Sequence, residues 1–372
     1  MSYLGQEIKK FGFGLMRLPK LGENIDIEQV KAMVDRFLSA GFTYFDTAWA
    51  YPGSEDAIRQ ALVERYPRES FQLATKNAAW IQCHNREDAI RQFGTSLDQS
   101  GAGYFDFYLL HNLGAGRTKV FDDFNMWDFV LEKKQQGLIR HVGFSAHATA
   151  EELEAILCAH PEAEFVQLQI NYADWENPAI QSRACYETAR KHGKPVIVME
   201  PVKGGLLANP PEPVADILRQ VNPDASLASW AIRFAASLEG VLTVLSGMSS
   251  LEQMDDNLSF MNNFTPLTEA ERSTVAEAQK ALAAIPLIPC TVCDYCAKVC
   301  PENIGISGTF IAMNYLTLYK DKAAALTWEG WHVGGHGKKR AAECIKCGEC
   351  EKACPQRIAI RVEMDKAVES LS

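Results

Sequence analysis

The sequence predicts an α/β fold: a closed (β/α)8 TIM barrel followed by a second, smaller and mainly helical module. In the first three quarters of the 372 residues, eight short β-rich apolar runs alternate with longer amphipathic patterns, as expected of βαβ units around a parallel sheet. No G-x-G-x-x-G turn opens a helix, and Gly12-Phe13-Gly14 is too short a match to favour an open dinucleotide-binding sheet. Eight of the 11 cysteines crowd between Cys290 and Cys354, whereas Cys83, Cys158 and Cys185 are scattered and read as core thiols.

The predicted strands, in order, are Phe11–Leu18, Thr43–Thr47, Phe71–Lys76, Phe105–His111, His141–Ala146, Phe165–Tyr172, Pro195–Pro201 and Val241–Gly247. The helical patterns between them cover Ile27–Ala40, Ser54–Tyr66, Arg86–Gln99, Met126–Gln136, Thr149–Ala159, Pro178–His192 and Ala225–Leu238. A further helical pattern, Thr268 to Ala283, leads into the Pro-marked stretch Ala284-Ile285-Pro286-Leu287-Ile288-Pro289. This places the boundary after residue 282, giving a barrel over 1–282 and a smaller module over 283–372.

Charge and composition narrow the function classes. With 37 basic and 47 acidic side chains the net charge is −10, which repels a phosphate backbone, and no Lys/Arg stripe offsets it. Nucleic acid is therefore not an expected partner. No apolar run reaches the ~18 residues of a membrane span. Met1 to Gly14 lacks the apolar core of a secretory leader, so the expected location is cytoplasmic. In a reducing compartment, clustered cysteines point to metal ligation rather than to disulfides.

In an α/β barrel the reactive groups sit where strands end. Asp46 ends the second predicted strand, Tyr51 follows on its loop, Lys76 ends the third strand and His111 the fourth. Singly each residue is ordinary, since such aspartates cap helices and such histidines pack; on successive strands they form a pattern. Phe45-Asp46-Thr47-Ala48-Trp49-Ala50-Tyr51 with Glu55, then Lys76 and His111, resembles the aldo-keto reductases across the whole barrel. The resemblance implies a catalytic tetrad of Asp46, Tyr51, Lys76 and His111. The chemistry is coherent: a carbonyl that accepts hydride becomes an alkoxide and needs a proton from a positioned acid. A free tyrosine, with a pKa of about 10, is too weak an acid. An adjacent Lys76 is expected to lower the Tyr51 pKa, with Asp46 holding the lysine and His111 orienting the carbonyl oxygen.

The same resemblance implies a nicotinamide site. Ser145 and Gln169 match carboxamide-binding positions, and Met199 stands where the family stacks an aromatic ring. Ala146 stands where the family usually has Asn, with His147 next. Gly247, Gln253, Asp256 and Asn257, after the eighth strand, match the adenosine-binding segment. No Lys or Arg lies between Val244 and Asn257, which tilts the NAD(P)H expectation toward NADH; Arg17 is the substitute partner for a 2′-phosphate.

Cys290-x2-Cys293-x2-Cys296-x3-Cys300-Pro301 and Cys344-x2-Cys347-x2-Cys350-x3-Cys354-Pro355 repeat the bacterial ferredoxin spacing of two 4Fe-4S clusters. Zinc is the competing chemistry for C-x2-C pairs. In two-cluster ferredoxins the fourth cysteine of each run ligates the other cluster. The expected sets are Cys290, Cys293, Cys296 and Cys354, and Cys344, Cys347, Cys350 and Cys300. Between the runs lie an amphipathic stretch, Gly308 to Leu326, and a Gly-rich basic loop, Gly330 to Arg340, whose His332 and His336 are read as loop residues. The module resembles helical two-cluster ferredoxin-type domains, as in a subgroup of aldo-keto reductases fused to one.

The resulting expectation is an NAD(P)H-dependent oxidoreductase acting on a small carbonyl or alcohol, with clusters serving a redox partner such as a ferredoxin or flavoprotein. Hydride carries two electrons and a cluster moves one, so direct coupling calls for a flavin or quinone between them; no flavin fingerprint is present, so either the barrel reduces carbonyls on its own beside structural or redox-sensing clusters, or it holds an unrecognised flavin or receives electrons from a flavoprotein partner. The competing expectation is a nucleotide-binding, redox-sensing regulator with structural clusters and little turnover. The sequence leaves the oligomeric state open.

Overall fold

The computed structural model describes residue 4, residues 7–114 and residues 116–371. Part of the N-terminal segment that carries the leader expectation, residues 1–3, 5 and 6, lies outside these.

Eight parallel strands close a barrel: β1 (Phe11–Gly14), β2 (Tyr44–Asp46), β3 (Gln72–Asn77), β4 (Phe105–Leu113), β5 (Ile139–Ala146), β6 (Phe165–Gln169), β7 (Val196–Met199) and β8 (Val241–Ser246). They pair in sequence order, and Gly12 of β1 closes the ring between Tyr44 and Leu245. Each expected strand is present, with ends shifted by a few residues; the first stops at Gly14 because Leu15–Arg17 turns into a short 3-10 segment.

Strand periodicity explains the two-layer core. Tyr44, Ala74, Phe107, Leu109, Phe165, Ile197 and Leu245 fill the barrel interior. Their neighbours Phe45, Leu73, Tyr108, Leu110, Val166, Val198 and Val244 face the surrounding helices. Those helices start on local caps: Asp26 accepts from the Gln29 amide, Asn85 from Asp88, and Thr149 and Thr268 form capping boxes with Glu152 and Glu271. The expected helix Ser54–Tyr66 is shorter and irregular, Ser54–Ile58 widening into a π-turn over Arg59–Val63.

Helix Glu269–Ala283 brings the chain back to the mouth of the barrel, where the cysteine-rich tail begins. The tail has its own core of Ile288, Ile304, Ile306, Phe310, Ile358, Ile360, Met364 and Leu371. The stretch expected as one helix, Gly308 to Leu326, is two, Ile306–Tyr319 and Lys322–His332. Lys320 takes a left-handed conformation and Asp321 caps the second helix. That helix also absorbs the start of the expected loop, so His332 stacks on Trp328 at 5.4 Å, while the His336 imidazole lies 3.0 Å from the Trp331 carbonyl.

The two cysteine runs repeat in backbone as well as in spacing. Val292, Asp294 and Asn303 have positive φ, as do their counterparts Lys346, Gly348 and Arg357. Helix Tyr295–Val299 is matched by Glu349–Ala353. No helix among the described residues is long and apolar enough to cross a membrane.

Candidate active site at the barrel mouth

The C-terminal ends of β2, β3 and β4 bring the predicted tetrad together. The Lys76 ammonium donates to Asp46 Oδ1 at 2.5 Å and to the Thr47 carbonyl at 2.6 Å. It lies 5.0 Å from the centre of the Tyr51 ring, and that ring meets the His111 imidazole edge-on at 5.8 Å. Asp46, Lys76 and His111 are buried. Sequence spacing cannot produce this convergence; strand register does, because Asp46 pairs beside Ala74 and Lys76 beside Leu109 on adjoining strands.

Burial sets the electrostatics. It holds the Lys76 ammonium below the ordinary lysine range, with the Asp46 carboxylate opposing. Burial and the nearby Lys76 charge push His111 well down, so its imidazole is neutral. The expectation for Tyr51 is reversed in this conformation. Burial drives its phenol well above 10, and the neighbouring Tyr295, Asp46 and Glu200 act in the same direction. An enclosed phenol with acidic neighbours is disfavoured as phenolate, even with a lysine beneath its ring.

A cavity of about 530 Å3 runs from the tetrad along the barrel mouth. Arg17, Met199, Gly247, Gln253, Asp256 and Asn257, all expected at the nucleotide, line it together with Tyr51 and His111. Ser145 and Gln169 are not among its lining residues. The Ser145 hydroxyl accepts from the Asn112 amide at 2.8 Å, and the Gln169 amide donates to Asp174 at 2.7 Å and to Gln356 at 3.0 Å. Gln167, on the same strand, lines the cavity instead, and its buried side-chain oxygen has no partner among the described residues. Glu252 also lines the cavity, beside Asp256. The Arg17 guanidinium is already committed, donating to the Thr291 carbonyl at 2.5 Å and lying 4.0 Å from Glu200.

The tail roofs this cavity with Thr291, Cys293, Tyr295, Pro355 and Gln356. Several bonds fix the roof. Arg117 donates to the Lys352 carbonyl at 3.0 Å, Lys298 to the Ala50 carbonyl at 3.0 Å, and Arg357 pairs with Glu152 at 3.0 Å. Gly204, at φ +65°, lets the Thr291 backbone approach so closely that a Cβ would lie 2.6 Å from its carbonyl oxygen. Sequence reading missed Tyr295, Thr291, Gln356, Gln167 and Glu200. Tyr295 and Thr291 lie inside a cysteine motif that explains itself without them, and no spacing signal ties them to strand ends far away in sequence.

The cysteines fit the all-sulfur donor set of iron–sulfur chemistry. Cys300, Cys344, Cys347 and Cys350 line one small enclosed void with Ile304, Ile306, Ile360 and Met364. Cys290, Cys293 and Cys354 lie close enough that their charges act on one another, and all three act on Cys296. Backbone amides of Val292 and Lys346 donate to the sulfurs of Cys290 and Cys344 at 3.4 Å each, the same bond in both repeats.

Residues 10–280 match the Aldo/keto reductase family and residues 289–359 a 4Fe-4S dicluster domain. The chain therefore belongs to the aldo/keto reductase family of oxidoreductases and carries a two-cluster iron–sulfur domain behind its barrel. It is similar to Aldo-keto reductase str7 of Strobilurus tenacellus, 30% identical over 55% of this chain and 61% of that one. It also resembles Methylglyoxal reductase DkgB of Salmonella typhi, 29% identical over 50% of this chain and 64% of that protein. The chain thus spans less than two thirds of the length of these curated relatives. Among solved structures, an aldo-keto reductase of Bacillus halodurans in a holo form matches 74% of this chain and 93% of that one, with TM-score 0.56 and 23% identity. An aldo/keto reductase of Klebsiella pneumoniae in complex with NADP and acetate matches 73% and 91%, with TM-score 0.57 and 20% identity. At these identities the two structures share the fold.

Proposed function

We propose that the barrel reduces a small carbonyl, or oxidises the matching alcohol, with NAD(P)H as hydride carrier, and that the tail holds two 4Fe-4S clusters that exchange electrons with a redox partner protein. The observation that carries the reading is the convergence of Asp46, Lys76, Tyr51 and His111 at the inner end of a cavity that continues to Gly247 and Asn257.

Met199, Gly247, Gln253 and Asn257 would hold NAD(P)H, which would supply hydride to the carbonyl carbon. The chain supplies the rest. The Tyr51 hydroxyl gives its proton to the carbonyl oxygen as negative charge develops there. Lys76, fixed by Asp46 and Thr47, stabilises the phenolate left behind, a charge that would otherwise be costly in a buried site. The neutral His111 donates to the same oxygen and orients it. The tail excludes water by covering the strand ends.

Glu252 and Asp256 at the adenosine end, with Arg17 held by Thr291 and Glu200, favour NADH over NADPH. Cys290, Cys293, Cys296 and Cys354 would hold one cluster and Cys344, Cys347, Cys350 and Cys300 the other; each supplies one-electron chemistry. Cys293 lines the cavity, whereas Cys347 is exposed. A ferredoxin or flavoprotein would therefore meet the second set. Hydride in the barrel would reach the clusters only through a two-to-one electron carrier between them; without one, carbonyl reduction and cluster electron transfer run independently.

The test is anaerobic turnover of small aldehydes with NADH and NADPH by the wild type and Tyr51→Phe, at matched iron content. A loss of at least ~100-fold in kcat with retained nucleotide binding is expected. Unchanged turnover would remove Tyr51 from the mechanism.

A further inference from the structure

The roof of the active site places a phenol among the catalytic groups. Tyr295, in the first cysteine run, is almost fully buried, and its hydroxyl lies 3.4 Å from His111 Nε2. The Tyr51 ring meets the same imidazole at 5.8 Å, and Tyr51, His111 and Tyr295 line one cavity. Its ring packs edge-on against Trp80 at 5.6 Å and against His111 at 6.3 Å. The turn that carries it is held on both sides, by Arg17 on the Thr291 carbonyl and by Lys298 on the Ala50 carbonyl.

A carbonyl about to be reduced must place its oxygen within hydrogen-bond reach of both its proton donor and its orienting imidazole. In this barrel those groups are Tyr51 and His111, and the Tyr295 hydroxyl already reaches the imidazole that the Tyr51 ring meets edge-on. Close packing leaves no room for a second oxygen at one point. We propose that Tyr295 is the specificity-determining residue of the site: its hydroxyl occupies the position of the reacting oxygen, and a substrate binds only by displacing it.

The inference rests on the assignment of Tyr51 and His111 to the substrate oxygen, and deepens it. It makes the cysteine-rich tail part of the substrate site rather than an appended electron carrier. Compounds that compete well must replace the His111 hydrogen bond and the ring contacts at once, so small aldehydes are expected to show a higher KM with the wild type than with Tyr295→Phe or Tyr295→Ala.

Acetate is a suitable probe, because a carboxylate oxygen can take the same hydrogen bonds and is not reduced here. Calorimetric titration of acetate into the anaerobic wild type, Tyr295→Phe and Tyr295→Ala, each with and without NAD+, measures occupancy without turnover. Iron and sulfide contents confirm that each variant keeps its tail; if the alanine variant loses its clusters, the phenylalanine variant decides. The expected result is acetate affinity rising from wild type to Phe to Ala, by about tenfold or more at the Ala end, as first the His111 hydrogen bond and then the ring contacts no longer have to be displaced. Equal or weaker acetate binding in the variants that retain clusters overturns the proposal. Tighter acetate binding with no aldehyde turnover in any form upholds the proposal and rejects carbonyl reduction.

Discussion

Gln169 of β6 and Gln356 of the cysteine-rich tail exchange two amide hydrogen bonds, each 3.0 Å, across 187 residues of chain. Both side chains are buried, and Gln169 also donates to Asp174, which receives the Lys203 ammonium at 2.5 Å. Barrel and tail are thus joined through the residue that the family resemblance assigns to the nicotinamide. In this conformation the Gln169 amide is committed to the interface.

Replacing Gln356 by Leu leaves the Gln169 side-chain oxygen buried without its donor. A buried unsatisfied acceptor costs ~1–3 kcal/mol. Anaerobic urea unfolding of Gln356→Leu should show a loss of that size with full cluster content. No loss would mean that the amide pair contributes nothing net to docking.

The buried Lys76–Asp46 pair makes a sharper stability prediction. Lys76→Met strands a carboxylate with 3% exposure and should cost ~3–5 kcal/mol, along with a fall in turnover of at least ~100-fold. The double variant Lys76→Met/Asp46→Leu removes the stranded charge, so unfolding measurements should show most of the stability restored. Turnover should stay lost, because the phenolate has no ammonium beside it.

Acid sensitivity follows from the histidines at the cavity. Burial, then the Arg117 charge, holds the His147 imidazole down at about 3, against about 6.5 in an unfolded chain. Between those values the unfolded chain binds a proton that the folded one refuses. His147 therefore weakens the fold as pH falls below ~6.5, with a slope of at most ~1.4 kcal/mol per pH unit. His111, depressed by burial and by Lys76, acts in the same direction. Anaerobic denaturation between about pH 7.5 and 5.5 should show stability rising with pH, and His147→Gln should flatten the slope. An unchanged slope would dismiss His147 as a contributor.

The exchange of fourth ligands between the two cysteine runs is tested by a paired substitution. If Cys300 belongs with Cys344, Cys347 and Cys350, then Cys300→Ser/Cys344→Ser damages one cluster and leaves ~4 iron atoms per chain. If each run serves its own cluster, the same variant loses both. Iron and sulfide analysis, with EPR of the dithionite-reduced protein, separates the outcomes.

Much of this molecule is written locally. Strand alternation such as Phe107 and Leu109 inward, Tyr108 and Leu110 outward, is a period-two pattern visible in any window of the chain. Capping residues such as Thr149 with Glu152 act over three positions. The cysteine runs are local too, since their spacing is set within eleven residues. The tetrad was legible because successive parallel strands put their ends at one face, so strand-end position stands in for proximity. Less legible were the break at Lys320 and Asp321, where a capping aspartate interrupts an otherwise continuous apolar pattern, and the committed amide of Gln169.

By itself the sequence determined the barrel, the order of its strands, the residues at their ends and the two cysteine runs, because short-range periodicity and spacing encode each of them. Only the tertiary structure decided what closes the site: that Tyr295 reaches His111, that Gln356 takes up Gln169, and that Arg17 turns to Thr291. These contacts join residues 184, 187 and 274 positions apart. They depend on how two separately packed cores dock. No local pattern in a chain records that arrangement, because it arises from the shape and hydrogen-bonding groups of two finished surfaces.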